Sequence, residues 1–440
     1  MSLSDMLGFE NSAGLFSSTD EAKFLDHNWQ DKNSVIRVEQ LEAVLGDAAS
    51  PGVIREMREG LKKVGMSIRL NPYILDLIDW RNPETDPIRR QFLPMLSELE
   101  EDHPCTSVDS LAERDTSPAP NLVHRYPDKA LFLVTSVCPV YCQYCTRSYA
   151  VGQATEALQK DTVASANGWL AALNYIRSNP AIEDVVVSGG DISRLKPQHI
   201  RLIGHALLDI EHVRRIRFAT KAVSVQPMKF ISDEAWFEAI VEVAKRGREL
   251  FKAVFIHTHF NHPREVTPLV EKTMRRLHSE AIHVRNQAVL LRGVNDKAET
   301  LIELNRKLSR VNIQPYYVYS CDMVMGTEHF RVPIHEMQHL ERQVRGATAG
   351  FNTPLFIVDL PGGGGKRDVH SFEYCDRGFG ITGYRSPAVD PERMFFYFDP
   401  LRTLDQGARA EWRSPHGRDA IMARLPLIRA ANDQPVRAAG

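Results

Sequence analysis

In the N-terminal part of the chain, apolar side chains recur at steps of three and four with charges between them. This holds in Val38–Gly46 (VEQLEAVLG), Val53–Gly65 (VIREMREGLKKVG) and Phe92–Glu101 (FLPMLSELEE). That period predicts helices with one buried face, so residues 1–120 are expected to form a helical N-terminal region. Asp115–Asn121 (DTSPAPN) is rich in turn formers and marks its end. From Leu131 the pattern changes to short apolar runs separated by longer amphipathic stretches. LFLVTSV, VVVSGGD, IRFAT, AVFIHTH, VRNQAVLL and PYYVYSCD read as strands, and LFIVD (Leu355–Asp359) as a seventh. GWLAALNYIRS, DEAWFEAIVEVAKRG, PLVEKTMRRLHS and TLIELNRKLSRV read as helices between them. Alternation of this kind predicts an α/β fold with a parallel sheet, here a partial (β/α)6-type barrel over residues 121–350. Residues 351–440 form a C-terminal extension whose last part shows no clear periodicity.

Barrel chemistry collects on loops after the C-terminal ends of the strands. The unusual residues sit there: Cys138 onward, Ser188–Asp191, His257–His262, Asp322 and Asp359. Composition narrows the class of protein. Of 440 residues 43% are hydrophobic and 25% charged, an ordinary globular balance. The net charge of −2 gives no electrostatic case for nucleic acid or an anionic membrane. No apolar run nears the roughly 18 residues of a spanning helix, and the start lacks the pattern of a signal peptide. Six cysteines are too few for a secreted disulfide framework. Three of them fall together, which reads as a cofactor site in a reducing cytoplasm.

Those three, Cys138, Cys142 and Cys145, are spaced C-x3-C-x2-C directly after a strand. Three thiolates can hold three irons of a [4Fe-4S] cluster and leave the fourth open to a small ligand. A zinc knuckle is the competing reading, but it would want a fourth Cys or His nearby. A second motif is Asp359-Leu-Pro-Gly-Gly-Gly-Gly-Lys366. It is not a P-loop, because Leu360 and Arg367 stand where Gly and Ser or Thr are needed. A lysine presented by a glycine loop suits a Schiff base with a carbonyl cofactor; a mobile loop with an incidental lysine is the plainer alternative. His257, His259 and His262 could also be ligands of a metal-dependent barrel hydrolase. That reading leaves the cysteines and Lys366 without a role, and His257 and His262 are expected to be core histidines satisfied by backbone.

The cysteine spacing at the end of a first barrel strand resembles the radical S-adenosylmethionine superfamily, and Ser188-Gly189-Gly190-Asp191 resembles its glycine-rich segment. With HRYPDKALFLVTSVC, Thr146-Arg147, HFNHP, NQAVLLRGVND, YSCDMVMGTEHFR and DLPGGGGK, the chain resembles the lysine 2,3-aminomutase family over residues 124 to 366. The resemblance implies a radical S-adenosylmethionine barrel holding a [4Fe-4S] cluster, S-adenosylmethionine and pyridoxal 5′-phosphate. It implies that Lys366 holds the pyridoxal, with Arg125 and Lys129 near its phosphate. Ser188, Gly189, Gly190, Asp191, His259 and Gln287 would line the S-adenosylmethionine site.

Side-chain charge bears on the substrate. Arg147 offers a planar fork for a carboxylate. Asp322 and Asp359 both end strand-like runs, and two carboxylates in one pocket repel unless a cation lies between them. An amino acid with a cationic side chain fits, and the resemblance implies the same roles for these three residues. The expected activity is transfer of the α-amino group of L-lysine to C3, giving β-lysine. Arginine as substrate is one alternative; a non-catalytic zinc- or iron–sulfur-binding protein is another. The resemblance further implies a flavodoxin- or ferredoxin-type electron donor, a homo-oligomer and a cytoplasmic location. The chain departs from the family in a less arginine-rich tract after the cluster and in Lys297, where many relatives have a zinc-binding cysteine. Zinc is therefore not expected.

Overall fold

The computed structural model describes residues 14–161 and 168–432. Nine strands form one sheet in chain order: β1 (Leu122–Tyr126), β2 (Lys129–Thr135), β3 (Asp184–Gly189), β4 (Arg215–Ala219), β5 (Ala253–Thr258), β6 (His283–Leu290), β7 (Ile313–Ser320), β8 (Leu355–Leu360) and β9 (Gly365–Asp368). Neighbours from β2 to β8 run parallel. β1 and β9 are antiparallel partners at the two edges. The α/β partial barrel expected from the sequence is present, with LFIVD as β8.

Helices cross between the parallel strands and cover the outside of the sheet. Their starts follow local chemistry. Thr267 accepts from the Val270 N–H ahead of Pro268–Ser279, and Asp233 accepts from the Trp236 N–H ahead of Glu234–Glu249. Ile203 and Leu207 of Pro197–Leu208, Trp236 and Ile240, and Val270 and Leu277 are buried against Val185, Ile216 and Ile256 of the strands. On the inner face, alternate residues of each strand line a cavity: Lys129 and Leu131, Val186 and Ser188, Arg217 and Ala219, Gln287 and Val289, Tyr317 and Tyr319.

The sheet does not close through backbone. Its edges meet through side chains instead: Tyr126 Oη accepts from the Lys366 N–H at 2.7 Å, and Arg125 Nη1 lies 3.1 Å from Asp359 Oδ1.

The N-terminal helices pack around Phe24, Leu41, Met57, Tyr73 and Phe92, and this core reaches Val140 of the cysteine loop. FLPMLSELEE is not the continuous helix that its periodicity suggests. Helix Pro87–Phe92 ends on its first residue, and beyond that only Leu96–Glu98 forms a 3-10 turn. Pro94 lacks an N–H and forces extended backbone on Leu93, at φ −129° and ψ 113°. Beyond β9 a three-stranded sheet of β10 (Tyr374–Asp376), β11 (Ile381–Ser386) and β12 (Asp390–Phe398) precedes helices Gln406–Arg413 and Pro415–Asn432. Among the described residues no helix is long and apolar enough to cross a membrane.

Candidate active site

β2 delivers the chain at Thr135 to an irregular loop that carries Cys138, Cys142 and Cys145. The N-terminal region fixes this loop by backbone contacts. Tyr141 N–H donates to Arg69 O at 3.1 Å and Gln143 N–H to Gln91 O at 2.9 Å. Burial pushes the Cys145 thiol up to about 11 and raises Cys138 and Cys142 too, and nearby thiolates add to the rise at Cys138. Such a set ionises only with a compensating cation. Three thiolates that each bind a separate iron of a cubane suit a donor set spread along one loop.

The SGGD segment is shaped by close approach. A Cβ on Gly189, at φ +114°, would stand 2.3 Å from Thr135 O, and one on Gly190 2.5 Å from Val137 O. These glycines let the end of β3 lie against the start of the cysteine loop. Asp191 accepts from Thr220 Oγ1 (2.6 Å), the Lys221 N–H (2.6 Å) and the Ser193 N–H (2.8 Å), so its carboxylate ties the ends of β3 and β4. His259 Nδ1 donates to Gln287 O at 2.5 Å, leaving Nε2 as acceptor 2.8 Å from Tyr144 Oη in the cysteine loop. Burial and Lys221 hold its pKa far down, so the ring is neutral.

On the opposite rim, the glycine run brings Lys366 to the cavity. A Cβ on Gly364 would meet the Phe395 ring at 2.4 Å, and Gly365, at φ +77°, passes Tyr126 Oη where a Cβ would stand 2.8 Å away. Lys366 Nζ donates to Asp359 Oδ2 at 2.7 Å. Burial would raise the Asp359 pKa, but Lys366 and Arg125 outweigh it and hold the carboxyl below its usual range. Asp322, hydrogen-bonded by Thr146 Oγ1, moves the other way: burial and the charge of Asp359 push it up. Lys129 Nζ sits 3.7 Å from the centre of the Tyr126 ring. Burial, then Lys366 and Arg217, push its pKa down to about 6. The Arg125 Nε is buried with no partner.

All of the sequence-derived candidates line one cavity of about 390 Å³: Cys138, Cys142, Cys145, Ser188, Gly189, Gly190, Asp191, His259, Gln287, Arg125, Lys129, Arg147, Asp322, Asp359 and Lys366. Two placements differ from the sequence reading. The Arg147 fork is already filled, since Nε and Nη2 donate to the two carboxylate oxygens of Glu113 at 2.8 and 2.6 Å. His257 is not a backbone-satisfied core residue: its Nδ1 faces Gln287 Nε2 at 2.6 Å and its buried Nε2 has no partner. His262 does meet that expectation, with Nδ1 accepting from the Arg264 N–H at 3.2 Å.

The chain is 35% identical over 357 residues to the L-lysine 2,3-aminomutase of Clostridium subterminale, covering 81% of this chain and 80% of that one. The chain belongs to the lysine 2,3-aminomutase family. It is an enzyme, an isomerase of the aminomutase type. The Bacillus subtilis L-lysine 2,3-aminomutase is 35% identical over 354 residues, 80% of this chain and 70% of its own. A glutamate 2,3-aminomutase from Clostridioides difficile is 32% identical over 350 residues, 79% of this chain and 76% of its own. No family model matches. A radical SAM methyltransferase structure from Sphaerobacter thermophilus overlaps 54% of this chain and 68% of its own at 17% identity and a TM-score of 0.36, too weak a likeness to bear on fold or function.

Within this aminomutase the sequence reading passed over Glu113, Tyr126, Arg217 and Tyr319, all of which line the cavity. Tyr126 carried a signal, since it lies inside the HRYPDK segment. Arg217 and Tyr319 could have been found by extending the inward alternation along β4 and β7. Glu113 lies outside the barrel strands, and no spacing in the sequence links it to Arg147.

Proposed function

We propose that this aminomutase is a radical S-adenosylmethionine enzyme that uses pyridoxal 5′-phosphate and moves the α-amino group of a cationic amino acid, L-lysine, to C3. The observation that carries the reading is that the three-cysteine loop and Lys366 open into the same cavity. When bound, the cluster with S-adenosylmethionine supplies hydrogen abstraction, and pyridoxal supplies a carbonyl for the migrating nitrogen. Cys138, Cys142 and Cys145 would hold the cluster and Lys366 the pyridoxal. Ser188 and the SGGD backbone, with Gln287, would face the S-adenosylmethionine, while Asp191 and His259 position those loops. The cluster's electron would come from a flavodoxin- or ferredoxin-type donor in the cytoplasm, to an enzyme working as a homo-oligomer.

The chain's own charges favour a cationic substrate. A lysine engaged in holding a carbonyl withdraws its ammonium from Asp359, which stands beside Asp322 in the same wall. A substrate ammonium there restores the balance; a glutamate side chain would add a third carboxylate. Arg147 can take the substrate's carboxylate only by sharing its fork with Glu113 or exchanging it.

Anaerobically reconstituted protein tests the reading. It should bind iron, show pyridoxal absorbance, and convert L-lysine to its 3-amino isomer faster than L-arginine or L-glutamate. Lys366→Ala should lose the pyridoxal absorbance and keep its iron, and Cys138→Ser should do the reverse. Iron retained in Cys138→Ser, or glutamate as the preferred substrate, overturns it.

A further inference from the structure

Residues 107–116, which join the helical region to β1, form a strap past three of the loops that carry candidate substrate contacts. Next to Asp322, the Ser107 N–H donates to Met323 O at 3.1 Å and the Ser107 carbonyl accepts from the Met325 N–H at 3.3 Å. Ser110 O accepts from the Gly362 N–H at 2.8 Å, in the glycine run that leads to Lys366. Glu113 meets Arg147, on the loop that follows the cysteines. The turn that carries Glu113 is tightly specified. Asp109 accepts from the N–H groups of Glu113 and Arg114 at 3.0 and 2.9 Å, and Ala112 is held at φ +50°, a conformation that costs a residue with a Cβ. The Glu113 side chain is 1% exposed, and three donors fix its carboxylate: Arg147 Nε at 2.8 Å, Arg147 Nη2 at 2.6 Å and Tyr149 Oη at 3.0 Å. A guanidinium has five N–H donors and two edges that each match a carboxylate. Glu113 takes the Nε–Nη2 edge. Nη1 has no hydrogen-bond partner among the described residues, and the Arg147 side chain, 21% exposed, lines the cavity, so the Nη1–Nη2 edge is left for a ligand.

We propose that Glu113 is a positioning residue: carried on the strap, it grips one edge of Arg147 and aims the other at the α-carboxylate of the substrate. The inference rests on the reading above in which Arg147 meets that carboxylate, and adds the group that holds the guanidinium still. A free arginine side chain loses the freedom of several rotatable bonds when it binds; one already fixed loses little. Because the strap is also bonded to the segments around Asp322 and Lys366, it keeps the carboxylate end of the site in register with the cationic end.

The reconstituted full-length enzyme, left unreduced so that nothing turns over, is titrated by calorimetry with L-lysine and with cadaverine, the same molecule without its carboxylate. L-Arginine with agmatine and L-glutamate with 4-aminobutyrate are run in parallel, and the pair that decides is that of the amino acid the enzyme converts. The parent should hold the amino acid more tightly than its amine. Glu113→Gln keeps the shape of the side chain but sets an amide N–H against the Arg147 donors. It should cut the affinity for the amino acid about tenfold or more, the loss expected for a contact between charged groups, and leave that for the amine near the parent value. Tyr149→Phe, a milder change that keeps the Glu113 carboxylate, should move the ratio the same way by about threefold, and it decides the matter if Glu113→Gln does not fold. Arg147→Gln should lose the preference by itself, and adding Glu113→Gln to it should change little further. A parental ratio in Glu113→Gln, or equal losses for acid and amine, overturns the inference and leaves the role of Arg147 standing. So does a gain in amino-acid affinity, which would make Glu113 a competitor for the fork. A parental ratio in Arg147→Gln removes the reading of Arg147 and the inference with it. Conversion of arginine or glutamate in place of lysine removes the lysine reading alone, and the matching pair of ligands still decides the role of Glu113.

Discussion

Asp359→Asn separates what this carboxylate does for Lys366 from the substrate contact proposed for it. Lys366 Nζ lies 2.7 Å from Asp359 Oδ2, and the two side chains are 25% and 7% exposed, so water screens the pair weakly. Burial and Arg125 act to lower the lysine's pKa; Asp359 outweighs them and keeps it above the usual value. Asparagine removes that charge and leaves the opposing influences in place. A buried charge-assisted hydrogen bond contributes about 1.5–3 kcal/mol, which at about 1.4 kcal/mol per unit lowers the lysine's pKa by roughly one to two units. The rate at which phosphate-free pyridoxal develops its lysine-bound absorbance, followed from pH 6 to 11, reports the neutral amine. Its inflection should move down by that amount in Asp359→Asn. Asp322 should respond in the opposite sense to its present state: freed from its neighbour's charge, it ionises more readily, so lysine turnover falls without vanishing. An inflection that stays in place would show that Asp359 does not control Lys366.

Gly190→Ala should displace the cysteine loop, because the added Cβ would press on Val137 backbone that has no side chain to move aside. A cost of roughly 1–3 kcal/mol in stability and loss of most bound iron are expected, while Gly350→Ala, with nothing within 4 Å, should match the parent. Acid should destabilise the protein below about pH 6.5. Burial holds His103, His257 and His329 near 3 and His262 near 4, so these rings are neutral when folded but take protons when unfolded. Stability from such depressed histidines is complete above their unfolded pKa and is lost as the pH falls below it. Asp76 and Asp399, raised to about 6 by burial, and Asp322, raised to about 7 by burial and Asp359, work against this trend but are fewer. The Tm should drop by roughly 5 °C or more between pH 8 and 5; a Tm that rises would sink the assignment.

The barrel was legible because parallel strands buried on both faces leave continuous apolar runs, and β2 to β8 each had one. β1 and β9 were not, since LVHRY and GKRD are short edge strands in which Arg125, Tyr126 and Lys366 face the cavity rather than a core. The terminal helices were hidden for another reason: Ala408 and Trp412 carry most of the burial of Gln406–Arg413, too few positions to establish a period. For the site, the motifs pointed to loops that the fold does gather around one cavity. They could not anticipate that Arg147 would already be gripped by Glu113, or that Asp359 would serve Arg125 and Lys366 together. Both are long-range pairings fixed by how the barrel curls, and the relevant residues are 34 and 234 positions apart.

The seam between the two edges has a mechanical meaning. The other junctions of the nine-stranded sheet are backbone ladders, and parting any of them would expose rows of unpaired peptide groups to solvent. At the seam, an arginine–aspartate contact and a tyrosine hydroxyl that takes one backbone N–H join the two edge strands. The weakest stave of the barrel thus stands beside Lys366, and Asp359, which fastens the wall through Arg125, is the same carboxylate that Lys366 grips. A change of charge at Lys366 or Asp359 therefore acts on the fastening of the wall as well as on the cavity it encloses.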